Sequence, residues 1–583
     1  MASDNGELLD LPSDADDDAA LRYAIALSLQ DQQQPPSSVD KSQEAEPEQG
    51  EKQNIASGLQ ALDRKAMERE RLKRLAAKRP REPSNQGDHG DNDDDVVEVP
   101  PPKRLQRALP TGRVPVSASG ASSTTSLQFP DGVVKRTWAY GYPRMGDDIK
   151  IDEVLKKDKL ELAVLSSFQW DDEWLLSKID IRKTKLFLIA FARDETQVWN
   201  QNPQKMMREN APPNVRFCFP PMNGPGSMHS KLQLLKYPDH LRIVVPSGNL
   251  VSYDWGETGV MENMVFLIDL PRLADAADHK PTAFSTELRR FLHATKIDDR
   301  MVTSLSNYDF SRTASLGFVP GSHTDELRRR TGYCGLGDCV ASLGLANSAS
   351  VEVDIVAASL GSINTDLIGA LYNACQGDNG MKEYNARASR KPSGARSAGL
   401  SQHLKDHVRI YFPTEETVAK SRGGRGAAGT ICMQAKWWRS PTFPTGLVRD
   451  CVNTREGLLM HSKMIFVHPT AAASGTTNQA ARGPAWAYVG SANLSESAWG
   501  RLVKDSKTGK PKMNCRNWEC GVVVPVASGT TAGAQEGDSS KAATRLAADD
   551  LATIFSAKVP VPMRMPGRPY GPDEEPWFYA GSR

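Results

Sequence analysis

The sequence has no long apolar run: nowhere does it approach the roughly 18 apolar residues that a membrane-spanning helix needs. Residues 1–30 also lack the basic-then-apolar order of a secretory leader. Both absences point to a soluble, intracellular protein that makes no use of a membrane. Cysteine is sparse: eight residues in 583, with no Cys-x-x-Cys pair and no Cys/His set at zinc spacing. In a chain of this size these read as buried, reduced thiols, which fits a cytosolic or nuclear compartment. The carboxylate cluster on which two-metal nucleases depend is missing as well, so the expectation is no metal and no cofactor. Net charge is only +1 and identifies no partner.

What is present is unevenly spread. Residues 1–125 are poor in aromatics and rich in Pro, Ser, Gln, Asp and Glu, a composition too polar to fold alone, so a disordered tail is expected there. Two islands interrupt it. In 16–31, acids lead into a helix start, and Leu21, Ala24 and Ser28 share one face beside Ile25. The small Ala24 leaves room for a partner surface, with Leu and Ile supplying apolar contact. The second island, 64–81, carries Lys73-Arg74 and Lys78-Arg79-Pro80-Arg81. A basic cluster in such a tail reads as a nuclear-localisation signal or a nucleic-acid contact. A solvated helix of mixed charge is the plain alternative, since Glu68 and Glu70 are interleaved.

Folded sequence begins near residue 126. Strand candidates are 186–192, 215–220, 232–237, 241–246 and 264–270, with Ser285 or Thr286 capping a helix over 287–294. The pattern restarts after residue 300, with strands expected at 350–359, 408–413, 464–469, 486–490 and 520–526. Strands alternating with helices predict an α/β sandwich. Residues 376–403 and 420–430 read as Gly/Ser/Arg-rich loops whose bases either follow a nucleic-acid backbone or are merely solvated. Small-residue insertions at 470–484 and 527–541 read as surface loops.

The two halves share landmarks. His229-Ser230-Lys231 is followed by Ser247-Gly248-Asn249-Leu250, and His461-Ser462-Lys463 by Ser491-Ala492-Asn493-Leu494. A Trp stands six residues past each Asn, at 255 and 499, and a Glu precedes an apolar strand in each half, Glu262 and Glu519. One His-x-Lys is weak evidence. Two copies with the same followers in the same order imply duplicated domains about a pseudo-twofold axis, expected at 126–310 and 311–583, with a site between them.

The residue types suit a phosphodiester. In extended chain, positions i and i+2 face one way, so each His and Lys can address one ligand. Two ammonium groups and two amides would bind the non-bridging oxygens. One imidazole, neutral, would attack phosphorus; the other, protonated, would serve the leaving oxygen and later take a proton from water. Each imidazole needs its second nitrogen held, and Glu262 and Glu519 are the candidates.

The duplicated His-x-Lys…Asn pattern resembles the phospholipase D superfamily, without the Asp that most members carry after the Lys. With Asn instead, and with Ser359-Leu360-Gly361-Ser362, the stretch Ser491–Trp499 and the Pro/Tyr-rich stretch 560–577, it resembles the tyrosyl-DNA phosphodiesterases that clear stalled topoisomerase I from DNA 3′ ends. The resemblance spans about 130–583 and implies two phospholipase D-like α-β-α sandwich domains. It implies His229 as nucleophile through a phosphohistidine, and His461 as acid and then base. Lys231, Lys463, Asn249 and Asn493 would bind phosphate oxygens, and Ser359, Ser362 and Ser495 would touch the DNA strand. The implied partners are single-stranded or duplex DNA 3′ ends carrying a tyrosyl peptide, the topoisomerase I adduct. Glu496 departs from the family pattern, standing where a phosphate-contacting base is expected. The island at 16–31 resembles a ubiquitin-interacting motif, which implies ubiquitin contacts at Leu21, Ala24, Ile25 and Ser28. Rival readings are a lipid phosphodiesterase and a ubiquitin-binding scaffold with an inactive catalytic fold.

Overall fold

Two large sheets with one strand plan, and two small two-stranded ones, account for the strands of the described residues. The computed structural model describes residues 127–192, 203–222, 226–322, 330–389, 398–470, 484–526, 554–556 and 558–579. The first half contributes β1 (Val133–Thr137), β2 (Asp148–Ile149), β3 (Leu162–Ser166), β4 (Lys185–Ile189), β5 (Val215–Cys218), β6 (Gln233–Lys236), β7 (His240–Pro246), β8 (Met261–Glu262) and β9 (Met264–Pro271). The second contributes β10 (Gly317–Gly321), β11 (Val351–Val356), β12 (Val408–Phe412), β13 (Val448–Asp450), β14 (Leu459–Met460), β15 (Met464–Pro469), β16 (Ala485–Gly490), β17 (Arg501–Lys504), β18 (Pro511–Asn514) and β19 (Glu519–Val526).

The first sheet runs β2-β1-β9-β7-β6-β3-β4-β5 and the second β10-β19-β16-β15-β11-β12-β13. Aligning β1 with β10 matches seven strands in sequence. Pairing sense matches too: antiparallel from β1 to β3 and from β10 to β11, then parallel to β5 and to β13. The topology therefore carries the duplication that the landmarks implied.

Each sheet buries one face against its own lobe. In the first lobe Ala163, Leu165, Leu186, Leu188 and Leu235 pack with Leu155 and Leu175 from short helices. In the second, Val353, Ile355, Ile410 and Val467 pack with Ile368 and Leu371 of the helix Thr365–Cys375. The opposite faces meet. Ile243, Val245, Met264, Phe266 and Ile268 share one core with Met464, Phe466, Ala487, Val489 and Val522. Alternation along buried strands sends successive residues to the two faces, so each lobe contributes an apolar face to the core they share, which Phe284, Phe291 and Phe555 complete.

Some expectations shift. The helix is Ala283–Ala294, longer than expected, because Thr282 Oγ1 accepts from the Ser285 amide and Ser285 Oγ accepts in return from the Thr282 amide. The stretch 376–403, expected as loop, holds the helix Met381–Ala388 and the start of Ala398–His407. Its Lys, Glu and Ala residues are good helix formers despite the nearby Gly and Ser. Among the described residues no helix is long and apolar enough to cross a membrane. The islands at 16–31 and 64–81 and most of the insertions lie outside the described residues.

Candidate active site

Both His-Ser-Lys segments begin on a backbone rung from the other lobe. Met228 bridges Trp518, and the His229 amide donates to the Trp518 carbonyl at 2.9 Å. Met460 pairs with Glu262, and the His461 amide donates to the Glu262 carbonyl at 2.9 Å. The side chains follow the same crossed plan. His229 Nδ1 donates to Glu519 Oε2 at 2.9 Å. His461 Nδ1 donates to Asp254, at 3.0 and 3.1 Å from its two oxygens. Each carboxylate takes two further donors: Ser491 and Asn517 on Glu519, the Asn249 amide and Asn263 on Asp254.

Asp254 corrects the expectation for Glu262. The two glutamates are not counterparts. Ser247 N donates to the Met264 carbonyl, and Ser491 N to that of Cys520. This register matches Glu519 with Asn263 and Glu262 with Trp518. A slip of one residue turns a strand side chain to the other face. Glu262 accordingly lies away from the imidazoles, buried at 3.3 Å from Arg455 and 3.9 Å from Arg136. Asn263 occupies the position that faces the site, but an amide supplies no charge there. It donates instead to Asp254, which stands one residue before Trp255 and does the holding. A carboxylate inside the Asn-to-Trp window was the available signal.

The four nitrogen bases are buried together, close enough to shift one another's charge. Burial pushes both imidazoles down to about 4, against the pull of Glu519 on His229 and of Asp254 on His461. Burial lowers Lys231 to about 8, and burial with the nearby Lys231 charge holds Lys463 well below the usual range. Burial opposes the charge of Asp254, but His461, Lys463 and the Asn249 amide outweigh it and hold the carboxyl low. Lys463 Nζ donates to the Ser247 carbonyl of the first lobe and to the His461 carbonyl, and Lys231 Nζ to the His229 carbonyl. Lys231 Nζ also lies 3.4 and 3.5 Å from the two ring nitrogens of His229, which Phe168 covers at 4.8 Å between centroids. An ammonium that close disfavours a second positive charge, so His229 is held neutral.

The remaining candidates are distributed around these bases. Asn249 gives its Nδ2 to Gln169 and accepts from the Gln169 amide; Asn493 accepts from the Ser359 amide. Ser359 is buried, Ser362 half-buried in the turn that follows, and Ser495 caps a short helix through Ala498 N. Glu496 faces Arg501 at 3.5 Å. Phe168, Gln169, Asp254 and Asn263 were not found from sequence. The tyrosyl-DNA phosphodiesterase profile matches residues 133–571, well over half of the chain.

The chain belongs to the tyrosyl-DNA phosphodiesterase family. Within it, tyrosyl-DNA phosphodiesterase 1 of Arabidopsis thaliana is 23% identical over 475 residues, 74% of this chain and 71% of the relative. Yeast tyrosyl-DNA phosphodiesterase has the same fold: TM-score 0.52 at 17% identity, over 77% of this chain and 100% of the yeast chain. A mutant of the yeast enzyme gives 0.53 with the same identity and coverage. As a member of a phosphodiesterase family, the chain is a hydrolase of phosphodiester bonds.

Proposed function

We propose that this enzyme repairs DNA by hydrolysing the bond between a DNA 3′ phosphate and the tyrosine of topoisomerase I. The observation that carries the reading is the pair of crossed dyads, His229–Glu519 and His461–Asp254, buried beside Lys231 and Lys463. His229, neutral and with Nδ1–H fixed on Glu519, presents Nε2 as nucleophile. As the N–P bond forms, the P–O bond to tyrosine breaks, and His461 gives its Nε2 proton to the phenolate oxygen. The phosphohistidine carries the positive charge that His461 has lost. Water then loses a proton to His461 and attacks phosphorus; the P–N pair returns to His229, leaving a 3′ phosphate. Lys231, Lys463, Asn249 and Asn493 stabilise the gathering charge on the non-bridging oxygens.

The resting site is short of protons, and the substrate supplies the remedy. A phosphodiester anion stabilises every cation around it, so its arrival raises His461 as well as the lysines. Phenol, with a pKa near 10, is a better leaving group than an alkyl alcohol, which suits a proton donor of modest strength.

The test is cleavage of a 3′-phosphotyrosyl oligonucleotide in EDTA. His229→Ala should abolish turnover, and His461→Asn should accumulate a covalent enzyme–DNA adduct visible by gel shift. Full activity in the first variant would end the nucleophile assignment. Action in the nucleus, and recruitment through ubiquitin at Leu21, Ala24, Ile25 and Ser28, complete the proposal; NMR titration of residues 1–60 with ubiquitin tests the latter.

A further inference from the structure

The duplication extends to a residue that the sequence landmarks do not mark. Trp170 bridges Leu250, and Leu360 bridges Leu494, both in parallel. One residue earlier, Gln169 N donates to Asn249 Oδ1 at 3.3 Å, and Ser359 N to Asn493 Oδ1 at 3.1 Å. Gln169 is therefore the pseudo-twofold counterpart of Ser359.

Gln169 is buried, 6% exposed, and its Nε2 is buried as well. Oε1 accepts from Asn249 Nδ2 at 3.1 Å and from the Tyr253 hydroxyl at 2.8 Å. Nε2, with two N–H bonds, has no hydrogen-bond partner among the described residues. Holding Asn249 requires only Oε1 and the backbone amide, so packing gives this nitrogen no task. A buried amide donor left unmade is costly and calls for an acceptor that arrives from outside.

We propose that Gln169 is a substrate contact whose Nε2 donates to an oxygen of the leaving polypeptide. The inference rests on the phosphodiesterase reading above. The two arms of a phosphodiester diverge from phosphorus. With the nucleotide strand along Ser359, the placement that the family resemblance implies, the matching position across the phosphate, beside Gln169 and Tyr253, is left to the leaving arm. Peptide carbonyls are the acceptors which that arm carries. The contact gives the enzyme a reason to prefer a peptidyl adduct over a bare aryl ester.

The experiment uses the full chain and one oligonucleotide bearing either a 3′-phosphotyrosyl peptide or a 3′-phospho-4-nitrophenyl group. Gln169→Glu keeps an acceptor toward Asn249 and Tyr253 but replaces the donor with a second acceptor. The ratio of kcat/KM for peptidyl over nitrophenyl substrate should fall about tenfold relative to the unmodified enzyme, the worth of one hydrogen bond. Differences in leaving-group chemistry cancel in that comparison. Gln169→Met, similar in volume and without a donor, should move the ratio the same way and serves if the buried carboxylate blocks folding. Equal losses on both substrates would assign Gln169 to holding Asn249 and overturn the proposal, as would no loss on either. Failure of the unmodified enzyme to cleave either substrate would instead overturn the phosphodiesterase reading.

Discussion

Two imidazoles in one site stop being equivalent once their neighbours differ. Lys231 lies within 3.5 Å of both ring nitrogens of His229, whereas Lys463 is anchored on the Ser247 and His461 carbonyls. Burial lowers both rings alike, to about 4, so what sets His461 apart is its partner Asp254, whose carboxyl His461 and Lys463 hold low against burial. Asp254→Asn removes that charge and frees the tautomer. In a serine-protease triad the same exchange costs about 10⁴-fold in kcat. We expect resolution of the phosphohistidine to slow by at least roughly 100-fold, seen as adduct building up in single-turnover gels. Lys231 gives a second test. Its ammonium is lowered to about 8, so rising pH strips its charge within the working range. KM for the phosphotyrosyl substrate should climb above about pH 8, while Lys231→Arg, which does not titrate, should show a flat KM over pH 7–9. A parallel climb in both would remove Lys231 from phosphate binding.

At the scale of elements, the sequence was read well where a pattern repeats and badly where a register decides. The His-Ser-Lys and Ser-x-Asn pairs were legible because both copies keep the same residues. The strands were legible because their apolar runs are continuous; 464–469 was placed to the residue. The carboxylates were not. Glu262 and Glu519 each stand two residues before an apolar stretch, but only hydrogen-bond register reveals the one-residue offset that turns Glu262 away. Gln169 and Phe168 had no repeated signature at all. The displaced Glu262 has its own consequence. Burial raises its carboxyl to about 7, against the pull of Arg136 and Arg455. A carboxyl raised on folding favours the protonated fold. Its contribution is full below the unfolded value near 4.5 and is lost as pH rises through about 7. Glu262→Gln is neutral at every pH. The Tm of the variant relative to the unmodified chain should therefore be higher at pH 8 than at pH 4.5, by scanning calorimetry. A difference that does not change with pH would show that the two arginines keep Glu262 ionised throughout.

The whole molecule is organised by exchange between lobes. Each His takes its backbone rung and its carboxylate from the opposite half, and the facing sheets share one apolar core with the helix Ala283–Ala294 and Phe555. The active site and the inter-lobe core thus depend on the same docking. Chains this long commonly unfold domain by domain, but a lobe released here would expose Val245, Phe266 and Ile268, or Phe466, Val489 and Val522, to water. The lobes should consequently melt as one unit. Phe466→Ala, which deletes a fully buried ring in the shared core, should cost about 3–5 kcal/mol. It should also lower the single calorimetric transition without splitting it, and activity on heating should vanish in the same interval. Leu371→Ala, buried in the outer core of the second lobe alone, should shift the transition of both lobes equally if docking couples them. Two resolved transitions in this variant, with only one displaced, would mean that the lobes fold independently and that the crossed dyads form after folding rather than as part of it.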